Sequence, residues 1–283
     1  MDFDDLEEVK QTKAGTNILL VDALNLAFRY KHKKTKDFGP DYVRTITSLA
    51  QSYRCDKVLI FADQGQSSYR LGISPDYKGN RKEMRANQTE EDAEDFKLFF
   101  QDFNDALELC KTMFHVVQFQ GVEADDTIAY VALNAKVDDV WIISTDKDLD
   151  QMVTDRVNRF SYVTRKEVTE KNFYETYGCQ INEYITLKVL QGDTGDNVPG
   201  VQGVGPKRAI ALLRQYGSAF DIHDQLPLEG KQKFVENINA FGDQILTNYE
   251  LMDLPSYCEE AVGEENIKEL EKIMEEVGIC TAD

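Results

Sequence analysis

Cysteine, proline, histidine and tryptophan are all scarce in this chain, at five, six, three and one among 283 residues. The five cysteines (Cys55, Cys110, Cys179, Cys258, Cys280) are scattered, odd in number and form no CxxC pair. They read as reduced thiols in a cytosolic protein, not as a disulfide frame or a zinc site. The histidines, His32, His115 and His223, are too dispersed to read as a base or ligand set. No apolar run is long enough to cross a membrane. The acidic start, Met1 to Glu8, has no apolar h-region, so no secretory signal is expected. Surplus positive charge is lacking too. The net charge is −19, whereas binding to a phosphate backbone usually draws on excess Lys and Arg.

The distribution of charge removes that objection. Residues 1–10 carry five acids against one lysine, and residues 259–276 carry eight against two. Much of the remaining acid sits in a few short motifs. Two stretches are basic. Arg29 to Lys36 has five cations and no acid, and Tyr77 to Arg85 has four cations and one acid. Basic loops beside an acidic site suit a phosphodiester, with cations holding the phosphates next to the reacting one. Taken singly, each stretch reads equally well as a solvated loop.

What the chain does have is four short apolar runs that end in acids. Asn17 to Val21 meets Asp22, and Val58 to Ala62 meets Asp63. Val116 to Gln120 leads to Glu123, Asp125 and Asp126, and Trp141 to Thr145 meets Asp146 and Asp148. Such runs, separated by helix-like segments, predict parallel strands of an α/β sheet. Ligands on these sheets bind at the carboxyl ends of the strands. Seven carboxylates are therefore expected on one edge, where each close pair repels by roughly 4 kcal/mol at 4 Å and an effective dielectric of 20. Something cationic must sit among them, and an all-oxygen donor set suits Mg²⁺ or Mn²⁺.

The periodicity predicts an acidic tail over 1–15 and an α/β core over 16–165. Within the core it predicts helices at 41–53 with Asp41 as N-cap, at about 90–113, and from Ala124 onward. Residues 64–92 lack a pattern, and a loop that long reads as a lid or arch. A helical lobe is expected over 166–258. Its parts are a helix at 181–191, a Pro206-initiated helix closed by Gly217, and a long amphipathic segment at 231–252. The acidic stretch 259–283 predicts a single exposed helix.

Several motifs carry chemistry. Gly121 to Asp126 supplies three acids at a loop-to-helix junction. Asp146 and Asp148 alternate, and Asp193 and Asp196 share a helical face or a tight turn. Each alone is an ordinary cap or turn signal. A calcium EF-hand loop beginning at Asp146 is excluded, because Gln151 stands where Gly is needed and Val157 where Glu is needed. Asp150 reads as a helix-start residue. Gly203 and Gly205 flank a turn whose backbone N–H groups, with Lys207 and Arg208, suit a phosphate.

Taken in order, Val21-Asp22, Asp63, Tyr77-Lys78-Gly79-Asn80-Arg81, Gly121 to Asp126, Ser144 to Asp148, Gly192 to Asn197 and Gly203 to Lys207 resemble the structure-specific 5′-nuclease family. That family includes flap endonucleases and the 5′–3′ exonuclease domain of bacterial DNA polymerase I, and motif spacing is closest to the stand-alone flap endonucleases of tailed bacteriophages. The resemblance implies a PIN-like parallel-sheet nuclease core with a helical arch at about 64–110. It implies a C-terminal helix-three-turn-helix (helix-hairpin-helix) lobe, with the hairpin at about 185–217.

The same resemblance assigns site residues. Asp22, Asp63, Glu123, Asp125, Asp126 and Asp146 match a first metal site, and Asp148, Asp193 and Asp196 a second. It leaves open which of Asp193 and Asp196 acts through water. Lys78 and Arg81 match catalytic residues at the scissile phosphate. Tyr77, Lys188, Gly203, Gly205, Lys207 and Arg208 match DNA-binding positions. Two Mg²⁺ ions, with Mn²⁺ as a substitute, would straddle one phosphodiester about 3.5–4 Å apart, and K⁺ would sit at the hairpin. The implied protein is a monomer in the cytoplasm of a bacterial or phage-infected cell, acting on branched or 5′-flapped DNA with no membrane partner. The acidic C-terminus carries no sliding-clamp peptide of the eukaryotic type and no polymerase domain follows, so replication partners are not specified. Rival readings are a non-catalytic branched-DNA-binding module, a PIN-type ribonuclease acting on RNA–DNA hybrids, and a phosphatase of small esters. The last leaves the arch and hairpin unexplained.

Overall fold

The computed structural model describes residues 16–280; the acidic residues 1–15 and the last three lie outside it. Six strands form one sheet: β1 Asn17–Asp22, β2 Lys57–Phe61, β3 His115–Val117, β4 Asp139–Ile143, β5 Val157–Ser161 and β6 Lys166–Val168. Their order is β3-β2-β1-β4-β5-β6. The first five run parallel and β6 returns antiparallel to β5. Register aligns the carboxyl ends, with Asp22 beside Phe61, Val21 beside Ile143 and Phe61 beside Val117. The four predicted strands are present. β5 and β6 are additional, and the polar Asn158, Arg159 and Lys166 hide them from a search for apolar runs.

Helices cover both faces. Helix α1 (Ala23–His32) and α2 (Gly39–Ser52) cross from β1 to β2. Helices α3 (Ser68–Ile73), α4 (Asn80–Ala86) and α5 (Glu90–Lys111) cross from β2 to β3, and α6 (Ala124–Asn134) crosses to β4. The inner residues of α1, α2 and α5 (Leu26, Tyr42, Ile46, Phe99, Phe103) pack with Leu19, Val21 and Ile60 on one sheet face. Ile18, Leu20, Leu59 and Ile142 pack against α6 on the other. The expected featureless loop at 64–92 thus contains two short helices and the start of α5. Ser67 caps α3 and Thr89 caps α5 through side-chain oxygens. Asp41 lies in the first turn of α2 instead of at its N-cap, which is Phe38; its carboxylate binds Arg44 and Tyr30.

The helical lobe comprises α7 (Glu170–Tyr177), α8 (Tyr184–Gln191), α9 (Pro206–Tyr216), α10 (Ala219–Asp224), α11 (Lys233–Ala240) and α12 (Gly242–Met252). It has its own core of Phe173, Leu187, Leu190, Leu212, Ile222 and Ile238. The segment expected as one helix over 231–252 is two, broken at Phe241-Gly242.

The C-terminal expectation is corrected. Instead of one exposed helix there are two, α13 (Leu254–Val262) and α14 (Glu264–Val277), separated by Gly263 at φ +81°. Cys258, Val262, Leu270, Met274 and Val277 are buried on the α6 face of the sheet. The acids of α14 line its outer side, while Ile267, Leu270, Met274 and Val277 repeat at helical spacing and turn inward. Among the described residues no helix is long and apolar enough to cross a membrane.

Candidate metal and DNA site

Each acid is placed by the end of an element. Asp22 closes β1 and caps α1, accepting from Asn25 N at 3.2 Å. Ser144, just past β4, donates to its other oxygen at 2.8 Å. Asp63 follows β2 and accepts from Ala124 N at 2.7 Å, capping α6 from another strand. Glu123 and Asp125 lie at the amino end of α6. Asp146 Oδ1 accepts from Asp148 N at 2.8 Å at the start of a short 3₁₀ helix, Asp148–Met152.

Electrostatics show that these acids converge. Burial raises the Asp22 pKa to about 7, and repulsion from Asp63 and Asp146 adds to the shift. Burial also raises Asp125 well above the carboxylate range, reinforced by Asp146, Asp22 and Asp63. Asp63 moves up through burial, with Glu123 adding to the effect. A sheet edge that stores such repulsion is poised for cations.

The arch base supplies cations of its own. Lys78 is buried and donates to Glu123 Oε1 at 2.7 Å, with Asp196 at 3.7 Å. Arg81 Nη2 reaches Asp196 Oδ1 at 2.9 Å. The Tyr77 hydroxyl lies 3.0 Å from both Glu123 and Asp196, joining acids distant in sequence. Burial opposes the Lys78 charge, but Glu123 and Asp196 outweigh it and its pKa rises. Burial likewise opposes the Glu123 charge, and Lys78 and Arg70 outweigh it, so its pKa falls.

Asp193 and Asp196 sit in one tight turn. Its ends are brought together at Gly192 and Gly200, where a Cβ on Gly200 would stand 1.9 Å from Gln191 O. Lys78 N donates to Asp196 O at 2.9 Å, and Asn80 Nδ2 to Thr194 O at 2.7 Å, so the arch base is laced to this turn.

Two of the expected site residues have charged partners within the protein. Asp126 is fully buried, and both its oxygens are taken by Arg70, from Nη1 and Nη2 at 2.7 Å each. Arg70, which no motif spacing marks, holds it, with Glu123 Oε2 3.7 Å from the same guanidinium. Lys188, expected at a DNA-facing position, lies 2.5 Å from Asp148 and 3.4 Å from Asp193. It is held there because those carboxylates need a counter-charge. Asp150 is buried and paired with Arg159 and Tyr177, so it is no candidate ligand.

The donor set is entirely carboxylate, which fits a hard divalent cation. A cavity of about 20 Å³, room for one water-sized species, lies between Glu123 and Asp125 on one side and Asp148, Asp193 and Asp196 on the other. Among the described residues no three of these groups already stand in a metal-holding arrangement. Lys78, Arg81 and Lys188 are paired with four of them, Glu123, Asp196, Asp148 and Asp193.

At the hairpin, α8 and α9 flank residues 192–205. Gly203 has φ +86°, a left-handed conformation that favours glycine. Arg208 stacks on Phe234 and donates to Gly203 O at 2.5 Å. Lys207 is exposed at the amino end of α9.

Residues 17–178 match the family model for the 5′-3′ exonuclease N-terminal resolvase-like domain, and residues 179–275 match the 5′-3′ exonuclease C-terminal SAM fold. The chain belongs to the 5′–3′ exonuclease family. This nuclease is 42% identical over 275 residues to the flap endonuclease of Escherichia phage T5, covering 96% of this chain and 94% of that protein. The structure of T5 D15 protein co-crystallised with metal ions superposes with a TM-score of 0.85 at 42% identity, over 92% of this chain and 98% of that one. A T5 D15 flap endonuclease complex with DNA and metal ions gives 0.87 at 43% identity, over 92% and 97%. The family fold, a resolvase-like PIN core followed by a SAM-like helical domain, is the one described above.

Proposed function

We propose that this chain is a Mg²⁺-dependent flap endonuclease and 5′–3′ exodeoxyribonuclease that cleaves branched or 5′-ended DNA at the carboxyl edge of its sheet. The reading is carried by one observation. Acids from four strand ends converge with Lys78 and Arg81 against them, in a chain that matches the phage T5 flap endonuclease over nearly its whole length. That relative has been solved with DNA and metal ions, and the same substrate and a divalent cofactor are assigned here.

Asp22, Asp63, Glu123, Asp125 and Asp146 would hold one ion, and Asp148, Asp193 and Asp196 the other. When bound, such ions activate water and stabilise the leaving oxygen of the phosphodiester. The protein's own groups do the rest. Lys78, buried against Glu123, and the more exposed Arg81 would offset charge that develops on the phosphate oxygens. Tyr77, between Glu123 and Asp196, keeps the two acid sets in register. Lys207 and the backbone at Gly205 face solvent and are assigned to the duplex phosphates. Potassium at the hairpin belongs to the same reading. Monomeric action in the cytoplasm of a bacterial or phage-infected cell completes the proposal.

The test compares cleavage of a 5′-flap, a nicked duplex, single-stranded DNA and an RNA–DNA hybrid, each with Mg²⁺ and with EDTA. Metal-dependent cutting of the flap, leaving a 5′-phosphate, is expected. Binding without cutting would establish the branched-DNA module instead, and preference for the hybrid would establish the ribonuclease.

A further inference from the structure

Arg70 is 5% exposed and touches three parts of the molecule. It stands on α3, at the foot of the arch. Nη1 and Nη2 donate to the two oxygens of Asp126 on α6, and Nε donates to Leu251 O on α12 at 2.9 Å. Nη1 is also 3.7 Å from Glu123 Oε2. Backbone bonds reinforce the junction, with Ser68 N donating to Gly121 O at 2.9 Å and Gly121 N to Gln64 O at 2.7 Å. The arch foot, the amino end of α6 and the helical lobe therefore meet at one guanidinium.

The consequence follows from helix geometry. Asp125 and Asp126 are neighbours on α6, so they point about 100° apart around its axis. Either could be turned toward the other acids, depending on the rotation of that helix. A bidentate guanidinium recognises carboxylate geometry in a way a flexible ammonium does not. Once Asp126 is fixed to Arg70, the rotation is set. Asp125 then lines the cavity it shares with Glu123, Asp148, Asp193 and Asp196, which Asp126 does not line, and Glu123 faces Lys78 and Tyr77.

We infer that Arg70 is a positioning residue for the metal-binding acids, acting through Asp126, and that Asp126 is its fixed counter-charge and not a metal ligand. The inference rests on the reading of these acids as a divalent-metal site. It separates Asp126 from the other carboxylates of the Gly121 to Asp126 motif.

The test is Mn²⁺ binding to the full-length, DNA-free protein by calorimetry, alongside melting in EDTA and circular dichroism. Wild type is compared with Arg70→Lys, Asp126→Asn and Asp125→Asn. Arg70→Lys keeps the charge but not the bidentate geometry, so Mn²⁺ binding is expected to weaken by about 10-fold or more, as for other groups that orient ligands. Asp126→Asn keeps an acceptor for Arg70 and is expected to weaken binding far less than Asp125→Asn does. Tighter Mn²⁺ binding in Arg70→Lys would overturn the inference, since Arg70 would then be competing with the metal for Asp126. Lower melting with an unchanged isotherm would also overturn it, leaving the pair a structural one. If Arg70→Lys does not fold, the Asp126→Asn arm decides alone, and a loss equal to that of Asp125→Asn overturns the inference. Absence of Mn²⁺ binding in wild type would defeat the metal reading as well, whereas wild-type binding with an unmoved Arg70→Lys isotherm defeats this inference only.

Discussion

Lys188 Nζ stands 2.5 Å from Asp148 Oδ1, with Asp193 at 3.4 Å. The lysine acts as a resident counter-ion in the second acid set. Its side chain is mostly buried, so removing it leaves two carboxylates facing each other with little solvent. Lys188→Gln is therefore expected to destabilise the metal-free protein by about 3 kcal/mol, the scale of breaking a largely buried pair. Urea unfolding in EDTA measures this. Excess Mg²⁺ should narrow the gap to wild type, because a divalent ion replaces the missing charge.

Burial of these acids, with their mutual repulsion added, also sets a pH dependence. Asp22 is raised to about 7 and Asp148 to about 6, above the unfolded value of about 3.9. The native state consequently holds more protons than the unfolded chain between these limits. Stability from these groups is greatest below pH about 4 and is lost as pH rises toward 7. Each group loses about 1.4 kcal/mol for every pH step of one between its unfolded and folded pKa. Metal-free protein should unfold at lower urea at pH 7.5 than at pH 5. A flat profile in EDTA would contradict the burial of Asp22 and Asp148 among other acids, and adding Mg²⁺ should flatten a sloping one.

Much of this architecture was legible because β1, β2 and β4 are short apolar runs that end in acids. The parts that were hidden have physical reasons. β5 carries Arg159, whose charge is neutralised by Asp150 after folding, so its polarity masks a buried strand. The break at Phe241-Gly242 interrupts an apolar periodicity that continues on both sides. For α14 the inward stripe was present in the residues, but the density of glutamate drew attention to the outer face. In the site, the chain order of acids marked the sheet edge correctly, yet spacing could not tell Asp125 from Asp126. Only the approach of Arg70, 56 positions earlier, separates them. Asn25 was silent in sequence and Ser144 was marked only as the start of its motif, although Ser144 donates to Asp22 and Asn25 accepts from Thr145.

Lys78 offers a test of the arch base. It is held against Glu123, and Arg81 is paired with Asp196, which Lys78 also approaches; in the proposed function both cations are assigned to the phosphate. Lys78→Ala should slow single-turnover cleavage of a 5′-flap by about 10²–10³-fold, the scale of losing one preorganised charge donor. Glu123 keeps Tyr77 and Arg70 as partners, so the fold should persist by circular dichroism. Rapid-quench kinetics at saturating Mg²⁺ and enzyme provide the measurement, and an unchanged rate would remove Lys78 from the phosphate path.

Lys207 is expected to act on affinity and not on chemistry. It is exposed at the start of α9. Lys207→Ala should weaken duplex binding and lower the slope of log affinity against log salt by about 1, the signature of one lost phosphate contact. Fluorescence anisotropy with Ca²⁺ in place of Mg²⁺, over a range of salt, reads both quantities.

Gly205 permits a sharper test of the same surface. A Cβ built there meets no protein atom within 4 Å, and its φ of −96° is open to any residue. Nothing in the folded chain thus calls for glycine at this position, unlike Gly203 with its left-handed backbone. If a phosphate approaches the backbone at the amino end of α9, the methyl of Gly205→Ala would stand in its way. Melting should be unchanged or slightly raised, since alanine restricts the unfolded chain, while duplex affinity falls several-fold. Unaltered affinity together with unaltered melting would show that the duplex does not pack against this turn.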